Sequence, residues 1–415
     1  MNSTSSSGRL AAIAGGAGLV LALLIGSGQA QAQETLRPEI GRPLQAAQEM
    51  IKGGRYKEAL GKVREAEAVG ARNANESYLI ERMRLAAASG AGDAETAARS
   101  FEAIGGSAKV SGAEKLRMIE SIAGMYYRSQ QYAKSMQWSQ RYFREGGTSG
   151  AIRTMLIQSQ YLSGDFAGAA RELTTEIQAA ERNGNAPPED RLKLLLNAAS
   201  KQGDNNAYVY AMERLVTHYP KKEYWVDLLA RLQRKSNFSD RLALDTYRLS
   251  LATGSMTAPA DYMEMAQLAL QADLPGEGKQ VVDKGFAAGV LGTGAQAERH
   301  KRLRDLVEKR LAEDKLTREN EERQALAAKS GDALVGIGMD LVYTGQAARG
   351  VGLMQQGISK GGLKRPEDAK LHLGIGQLVA GDKAKAQATF KTVQGADGTA
   401  DLARLWSLYA RRGAA

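Results

Sequence analysis

The three histidines are the first side chains to test for chemistry, because imidazole ligates metals and moves protons near neutral pH. His218, His300 and His372 stand at least 72 residues apart, and none belongs to an HExxH-type pair. We therefore interpret them as lone surface or groove histidines and expect no metal and no cofactor. Cysteine is absent, which excludes thiol nucleophiles, disulfides and Cys-ligated metal sites.

Two short motifs imitate catalytic loops. Gly357-Ile-Ser359-Lys-Gly361 satisfies the pattern of a nucleophile elbow, but that elbow needs a strand before the serine, and here the motif follows a helical pattern. Gly276-Glu-Gly278-Lys279-Gln280 resembles a phosphate loop, yet Asp273 replaces the first glycine and Gln280 replaces the magnesium-binding hydroxyl residue. We predict a helix end at the first motif, no phosphate site at the second, and no enzyme.

The composition favours helices as the elements that position any site. The 415 residues include 46 Gly and only 8 Pro, with 43% hydrophobic, 25% charged and 6% aromatic residues. This composition is typical of a globular protein. It favours Ala-rich helices joined by Gly-containing turns over a β-sandwich.

A repeat of helical hairpins runs through residues 38–411. In its clearest copy, Leu44 to Ala66, apolar residues at helical spacing lead into Gly54, which is followed by Tyr56 and Ala59. The turns recur every 33 to 39 residues, except for one interval of 72 that we interpret as two periods. The turn positions are residues 54, 92, 130, 164, 203, 236, 273, 345 and 381.

These residues resemble the tetratricopeptide repeat family, whose unit is a helical hairpin of about 34 residues. The family places Gly-Asp/Asn-aromatic at the turn and Ala in the second helix, as Gly164-Asp165-Phe166 with Ala169 does here. The resemblance implies an all-α, right-handed superhelical solenoid of helical hairpins. It also implies a concave groove, lined by the first helix of each hairpin, that binds a partner.

Projection onto the family's repeat places eight polar or aromatic side chains on this groove. They are Tyr127, Arg128, Gln158, Tyr161, Lys193, Asn197, Lys201 and Arg234. Lys193 and Asn197 match the first two positions of the family's carboxylate clamp. Ala230 and Met263 stand at its later positions, so the full clamp is absent. What remains is a polar, net-basic groove with two aromatic side chains, which we interpret as a generic solvated face or, alternatively, as a site for a carboxylate or an acidic peptide.

Two segments interrupt the repeat. Pro187-Pro188 should end one helix and begin another whose first turn carries Glu189 and Asp190. Glu298 to Arg323 interleaves nine Lys or Arg with eight Asp or Glu, which predicts one long solvated helix or else a flexible linker. The expected domains are a signal peptide at 1–32, an N-terminal array at 33–297, a charged helix at 298–330 and C-terminal hairpins at 331–415.

The beginning of the chain has the pattern of a secretory signal peptide. Arg9 is the only charge before Glu34, and the apolar run Leu19 to Ile25 precedes the small residues of Ala30-Gln31-Ala32. We predict cleavage after Ala32. The alternative is an uncleaved anchor over the uncharged stretch from residue 10 to residue 33.

The net charge and the predicted export together limit the classes of partner that we expect. The formal net charge of +10 would suit nucleic acid, but export argues against it and favours acidic partners outside the cytoplasm. We expect a non-enzymatic periplasmic or secreted scaffold of a Gram-negative envelope, with no stable membrane insertion after cleavage. It would bind an envelope protein or an acidic peptide through its groove. The alternative is a glycan-binding or polysaccharide-export helper.

Overall fold

The computed structural model describes residues 36–411 of the chain. The predicted signal peptide at 1–32 lies outside the described residues. Within the described chain there are 20 α-helices and no strand, which confirms the all-α prediction. The chain divides into two compact units between residues 169 and 170, inside the eighth helix, and each unit is described by itself.

The described part of the first unit, residues 36–169, contains seven helices and the beginning of the eighth. Their bounds are α1 Pro38–Lys52, α2 Tyr56–Glu67, α3 Ala74–Ala91, α4 Ala94–Ile104, α5 Gly112–Arg128, α6 Tyr132–Arg144, α7 Gly150–Leu162 and α8 Phe166–Arg182.

The second unit contains the rest of α8 and twelve further helices. Their bounds are α9 Glu189–Gln202, α10 Asn205–His218, α11 Lys222–Gln233, α12 Ala243–Thr253, α13 Pro259–Gln271, α14 Pro275–Ala287, α15 Ala297–Ala327, α16 Asp332–Tyr343, α17 Ala347–Lys360, α18 Pro366–Val379, α19 Lys383–Phe390 and α20 Thr399–Arg411. Pro188 precedes α9, whose first turn carries Glu189 and Asp190 as predicted.

Glycine followed by aspartate ends one helix and begins the next at several of the predicted turns. Gly203 is left-handed, with φ of +75°, and the Asp204 N–H donates to the Ala199 carbonyl at 2.9 Å. The Asp204 carboxylate then accepts from the N–H of Ala207 at 3.0 Å and caps α10. The same pair of contacts recurs at three other turns, which are 92–93, 164–165 and 381–382.

Eight of the nine predicted turn positions have a positive φ, including the non-glycine residues Gln130 at +60° and Asp273 at +55°. Ser236 is the exception, because a longer connection with a 3-10 turn at Asp240–Leu242 joins α11 to α12. The interpretation of the 72-residue interval as two hairpin periods is wrong. Instead of a second hairpin, it contains the unbroken helix α15, Ala297–Ala327.

Small residues bring the helices of several hairpins together. Ala59, Ala169 and Ala386 are completely buried. The turn aromatic Tyr56 packs against α3, since a Cβ added at Gly90 would lie 2.2 Å from its ring. The turn aromatic of this hairpin therefore covers the following hairpin, as in a stack of repeats.

The charged segment forms α15, a 31-residue helix that contacts α13, α14 and α16. Its buried side chains form one line, namely His300, Leu303, Val307 and Ala325. Most of its other side chains are exposed, and Leu316 keeps 87% of its surface accessible. The alternating charges therefore keep most of α15 in solvent while one face packs on the second unit.

The second unit closes on itself, because its early helices contact its last ones. In succession α14 contacts α16, α16 contacts α18 and α18 contacts α20, while α20 also contacts α10 and α12. A linear stack of repeats has contacts only between neighbouring hairpins. The helices α12, α14, α16, α18 and α20 thus surround one common centre.

Glycines allow the close approach of α16 and α17. A Cβ added at Gly350 would lie 2.3 Å from the Gly338 carbonyl oxygen, and one added at Gly331 would lie 1.9 Å from the Gly357 carbonyl oxygen. Real Cβ atoms do not approach a backbone oxygen this closely. Glycine at these positions is therefore a requirement of helix packing.

We expect Gly350→Ala to lower the free energy of unfolding by about 1–3 kcal/mol through overpacking, although alanine is the better helix former by about 1 kcal/mol. Denaturant unfolding measures the change. The matched control is Gly352→Ala in the same helix, where an added Cβ has no neighbour within 4 Å. The control should be neutral or stabilising, and equal effects of the two substitutions would contradict the packing account.

Candidate functional site

The predicted groove residues of the first unit meet on α5 and α7. The Tyr127 hydroxyl donates a hydrogen bond to Oε1 of Gln158 at 2.8 Å, and both side chains are half-buried. The Tyr127 ring also contacts Tyr132 edge-to-face, with centroids 5.6 Å apart. Burial raises the pKa of Tyr127, so its hydroxyl remains a neutral donor.

Three further side chains extend this patch. Arg128 is exposed at the end of α5, and its Nη1 lies near Gly124. The Tyr161 ring packs on Phe166, with centroids 5.4 Å apart. Met155 is half-buried beside Gly124. We call Tyr127, Arg128, Met155, Gln158 and Tyr161 the α5–α7 surface.

The remaining predicted groove residues lie in the second unit. Lys193, Asn197 and Lys201 are exposed on α9, and Arg234 is exposed just after α11. The Lys193 ammonium is already paired with Glu189 at 2.9 Å. Lys193 therefore does not offer the uncompensated charge that a clamp for an external carboxylate requires.

The Glu189 carboxylate accepts hydrogen bonds from several side chains. Lys221 binds its carboxylate at 2.6 Å, and the Tyr224 hydroxyl donates to it as well. Hydrogen bonds from Lys221, Tyr224 and Lys193 lower the pKa of Glu189 to about 2. The chain thus supplies its own carboxylate to the lysines of this region.

The centre of the second unit is a buried ionic cluster that sequence analysis did not predict. Arg248 on α12 donates two hydrogen bonds to Glu277 on α14, from Nε at 2.7 Å and from Nη2 at 2.6 Å. Its Nη1 donates to Asp245 at 2.6 Å. The side chains of Arg248 and Glu277 are 2% and 0% exposed.

Two further helices contribute to this cluster. His372 on α18 lies 3.0 Å from Asp245 and 3.2 Å from Nη1 of Arg248, both measured from its Nε2. Tyr343 at the end of α16 is close enough to Glu277 for burial and that carboxylate to raise the pKa of its hydroxyl. The cluster therefore joins α12, α14, α16 and α18.

The electrostatics of the cluster are those of a structural ion network. Burial alone would raise the pKa of Asp245, but His372 and Arg248 outweigh burial and hold that pKa below its usual range. Burial likewise opposes the charge of Arg248, yet Glu277 and Asp245 raise its pKa. The Asp245–Arg248 pair stays ionised at neutral pH, so it does not supply a proton acceptor poised for catalysis.

A cleft of about 450 Å³ lies between α15, α16 and the turn before α14. Arg318 on α15 binds Asp340 at 2.6 Å and also Asp314. Its Nε and Nη1 are buried without a hydrogen-bond partner among the described residues. The alternating charges of α15 gave no signal for this arrangement, because the signal depends on which residues face α16.

One histidine, His300, differs from its predicted surface or groove position. His300 is buried, and its Nδ1 accepts the N–H of Gly292 at 3.1 Å, while His218 binds Glu181 at 3.0 Å. In the described part of the chain no three His, Asp or Glu side chains are arranged to hold a metal ion. Ser359 lies near the end of α17, which Gly361 caps, as predicted for a helix end.

Comparison with known proteins gives only remote similarities. No protein-family model matches the chain, and no curated protein matches its sequence. The chain is similar to the crystal structure of yeast Tom70, with 10% identity, coverage of 90% of this chain and 95% of that chain, and a TM-score of 0.24. It is also similar to the P58(IPK) TPR domain, with 11% identity, 90% and 97% coverage, and a TM-score of 0.23.

A third similar structure is Naa15/Naa10 bound to HypK-THB, with 14% identity, 88% and 68% coverage, and a TM-score of 0.24. TM-scores of this size do not support an inference about a binding site or a partner. The helix order and the capped turns themselves define the class: the chain is an all-α protein of tetratricopeptide-like helical hairpins.

We expect Arg248→Met to lower the stability of the second unit by about 3–5 kcal/mol, because Glu277 and Asp245 would lose their buried counter-charge. Denaturant unfolding followed by Trp225 and Trp406 fluorescence, in a Trp138→Phe background, reports this unit. The control is Arg349→Gln, whose side chain is 51% exposed in its pair with Glu322. The control should change stability by less than about 1 kcal/mol. A similarly small effect at Arg248 would contradict a structural role.

Proposed function

We propose that the protein is a non-enzymatic scaffold that binds an extended, acidic segment of a partner protein on the α5–α7 surface. The hydrogen bond between Tyr127 and Gln158 carries this proposal. It joins the first helices of two consecutive hairpins and fixes the orientation of the Gln158 amide. A fixed amide loses little conformational entropy when it binds a ligand.

The chemistry of this surface suits a polypeptide main chain. Because Oε1 of Gln158 accepts from Tyr127, the two N–H donors of the amide remain for peptide carbonyl groups. Tyr127, Tyr161 and Met155 add rigid or adaptable apolar contact area. Such a combination is typical of surfaces that bind extended segments by main-chain hydrogen bonds and side-chain packing.

Arg128 supplies the preference for acidic ligands. Arg128 is exposed, its Nη1 lies near Gly124 of the same helix as Tyr127, and its guanidinium can bind a carboxylate through two hydrogen bonds. The formal charge is +10, or +9 after Arg9 is removed with the signal peptide, and it favours encounter with acidic partners. Lys193 contributes less to this role, since Glu189 already neutralises it.

The proposal places the scaffold in the periplasm of a Gram-negative envelope, with an envelope protein as its partner. The support is the signal-peptide pattern of residues 1–32, with small residues at Ala30 and Ala32. Among the described residues no helix has both the length and the apolar character needed to cross a bilayer. A glycan-binding role is the second candidate, and it rests on Tyr127 and Tyr161 alone.

We expect acidic peptides to bind the mature chain and Arg128→Gln to weaken that binding roughly tenfold, because a charge-assisted hydrogen bond is lost. Fluorescence anisotropy with matched acidic and charge-inverted peptides measures the affinities. The control is Arg144→Gln, which removes the same charge from an exposed position on α6. Equal affinities of the two variants would contradict the site, and retention of cell-wall oligosaccharides without peptide binding would favour the glycan role.

We expect export with cleavage between Ala32 and Gln33. The full chain with a C-terminal tag, produced in a Gram-negative host, should appear in the periplasmic fraction with Gln33 as its N-terminal residue. Large side chains at both small positions, in Ala30→Leu/Ala32→Leu, should block processing and leave the longer chain bound to the membrane. An intact wild-type chain in the cytoplasmic fraction would contradict export.

A further inference from the structure

The second unit closes where two sets of complementary charged side chains meet, and we call this contact the seam. On one side lie Glu213 of α10, Lys235 and Arg241 after α11, and Asp245 of α12. On the other side lie Asp368 and His372 of α18, Asp397 before α20, and Asp401 and Arg404 of α20. Every ion pair across this seam joins residues at least 127 positions apart in the sequence.

The outer contacts of the seam are direct. Lys235 binds Asp401 at 2.8 Å, and Arg241 binds Asp397 at 2.5 Å and Asp368 at 3.1 Å. The N–H of Ser239 donates to the Asp397 carbonyl at 2.9 Å. Arg404 pairs with Glu213, and the Asn237 amide donates to the carbonyl of Ala396.

Three of the outer ion pairs are reachable by water and salt from one side. The side chains of Lys235, Asp397 and Arg404 are 42%, 44% and 45% exposed, whereas their partners Asp401, Arg241 and Glu213 are 23%, 22% and 10% exposed. Because one partner of each of these pairs is in contact with solvent, salt screens them more than it screens a fully buried pair. An apolar contact beneath them is the ring of Phe238 against Gly398, where an added Cβ would lie 2.4 Å from Cδ2.

The inner contact of the seam separates without leaving a buried charge alone. Arg248, Asp245 and Glu277 all belong to α12 and α14, so they remain paired with one another on one side. Only His372 crosses from α18, and its side chain is 23% exposed. Breaking this contact therefore avoids the large cost of an orphaned buried ion.

The two sides are packed more firmly within themselves. On the C-terminal side α20 contacts α18 and α19, and Trp406 stacks on Phe390 with centroids 6.3 Å apart. Leu402 and Leu405 of α20 are buried as well. When the seam parts, α20 is thus expected to remain with α18 and α19.

We propose that this seam is a releasable closure, and that the second unit exchanges between the closed ring and an open array of hairpins. Screening of the outer ion pairs favours the open form. The α10–α12 and α18–α20 faces of the seam then become accessible together. This opening does not involve the α5–α7 surface, so its test is separate from the test of the proposed function.

Spin labels test the closure directly, because the chain has no native cysteine. Ser236→Cys and Lys391→Cys place one label on each side of the seam at exposed positions. Gln355→Cys with Lys391→Cys is the control pair, since both residues lie on the α16–α20 side. Pulsed dipolar spectroscopy then gives the distance distributions from about 50 mM to about 1 M salt.

We expect a second, longer distance in the seam pair that grows with salt, while the control pair keeps one distance. Arg241→Gln/Arg404→Gln should raise the population of the longer distance roughly tenfold at low salt. Arg349→Gln, whose pair with Glu322 lies off the seam, should leave it unchanged. A single, salt-independent distance in the wild type and in the double variant would overturn the proposal.

Discussion

The two hydrogen bonds between the Arg248 guanidinium and the Glu277 carboxylate organise the second unit of this protein. Both groups are almost fully buried, so each requires the other. Asp245 and His372 extend the pair to α18, and Tyr343 brings in the end of α16. These charges lie where the helices of the second unit surround one centre. Their burial makes the packing of α12 on α14 depend on exact pairing of a few ions rather than on apolar area alone.

Local rules explain how much of the fold was predictable. The Gly-Asp pairs signal a left-handed residue followed by a helix cap, and both interactions lie within a few residues of the turn. Turns such as Gly203-Asp204 were therefore predictable from spacing alone. The predictions of a tight turn at Ser236 and of a hairpin inside the 72-residue interval were wrong. Regular spacing cannot distinguish a tight turn from a longer connection, or a hairpin from a single long helix. Ring closure was not predictable, since the partners of Arg241 and Arg404 are more than 100 residues away.

The candidate site shows the same division. Projection onto the repeat placed Tyr127 and Gln158 on neighbouring first helices, and the structure joins them by a hydrogen bond. The same projection could not show that Glu189 pairs with Lys193. The position of the Glu189 carboxylate also depends on Lys221 and Tyr224, which follow in the next part of the chain. His372 looked solitary in the sequence, yet it meets Asp245 across 127 positions. The position of Tyr127 and Gln158 on neighbouring first helices could be predicted, whereas the pairing of Lys193 with Glu189 and the contacts across the ring could not.

A double-mutant cycle tests the central claim most directly. Arg248→Met, Glu277→Leu and the double variant are compared by denaturant unfolding of the second unit. If the two groups stabilise the ring as a buried pair, the double variant should be more stable than Arg248→Met alone, with a coupling energy of about 2–3 kcal/mol. Additive effects of the two substitutions would contradict the claim that this pair organises the unit.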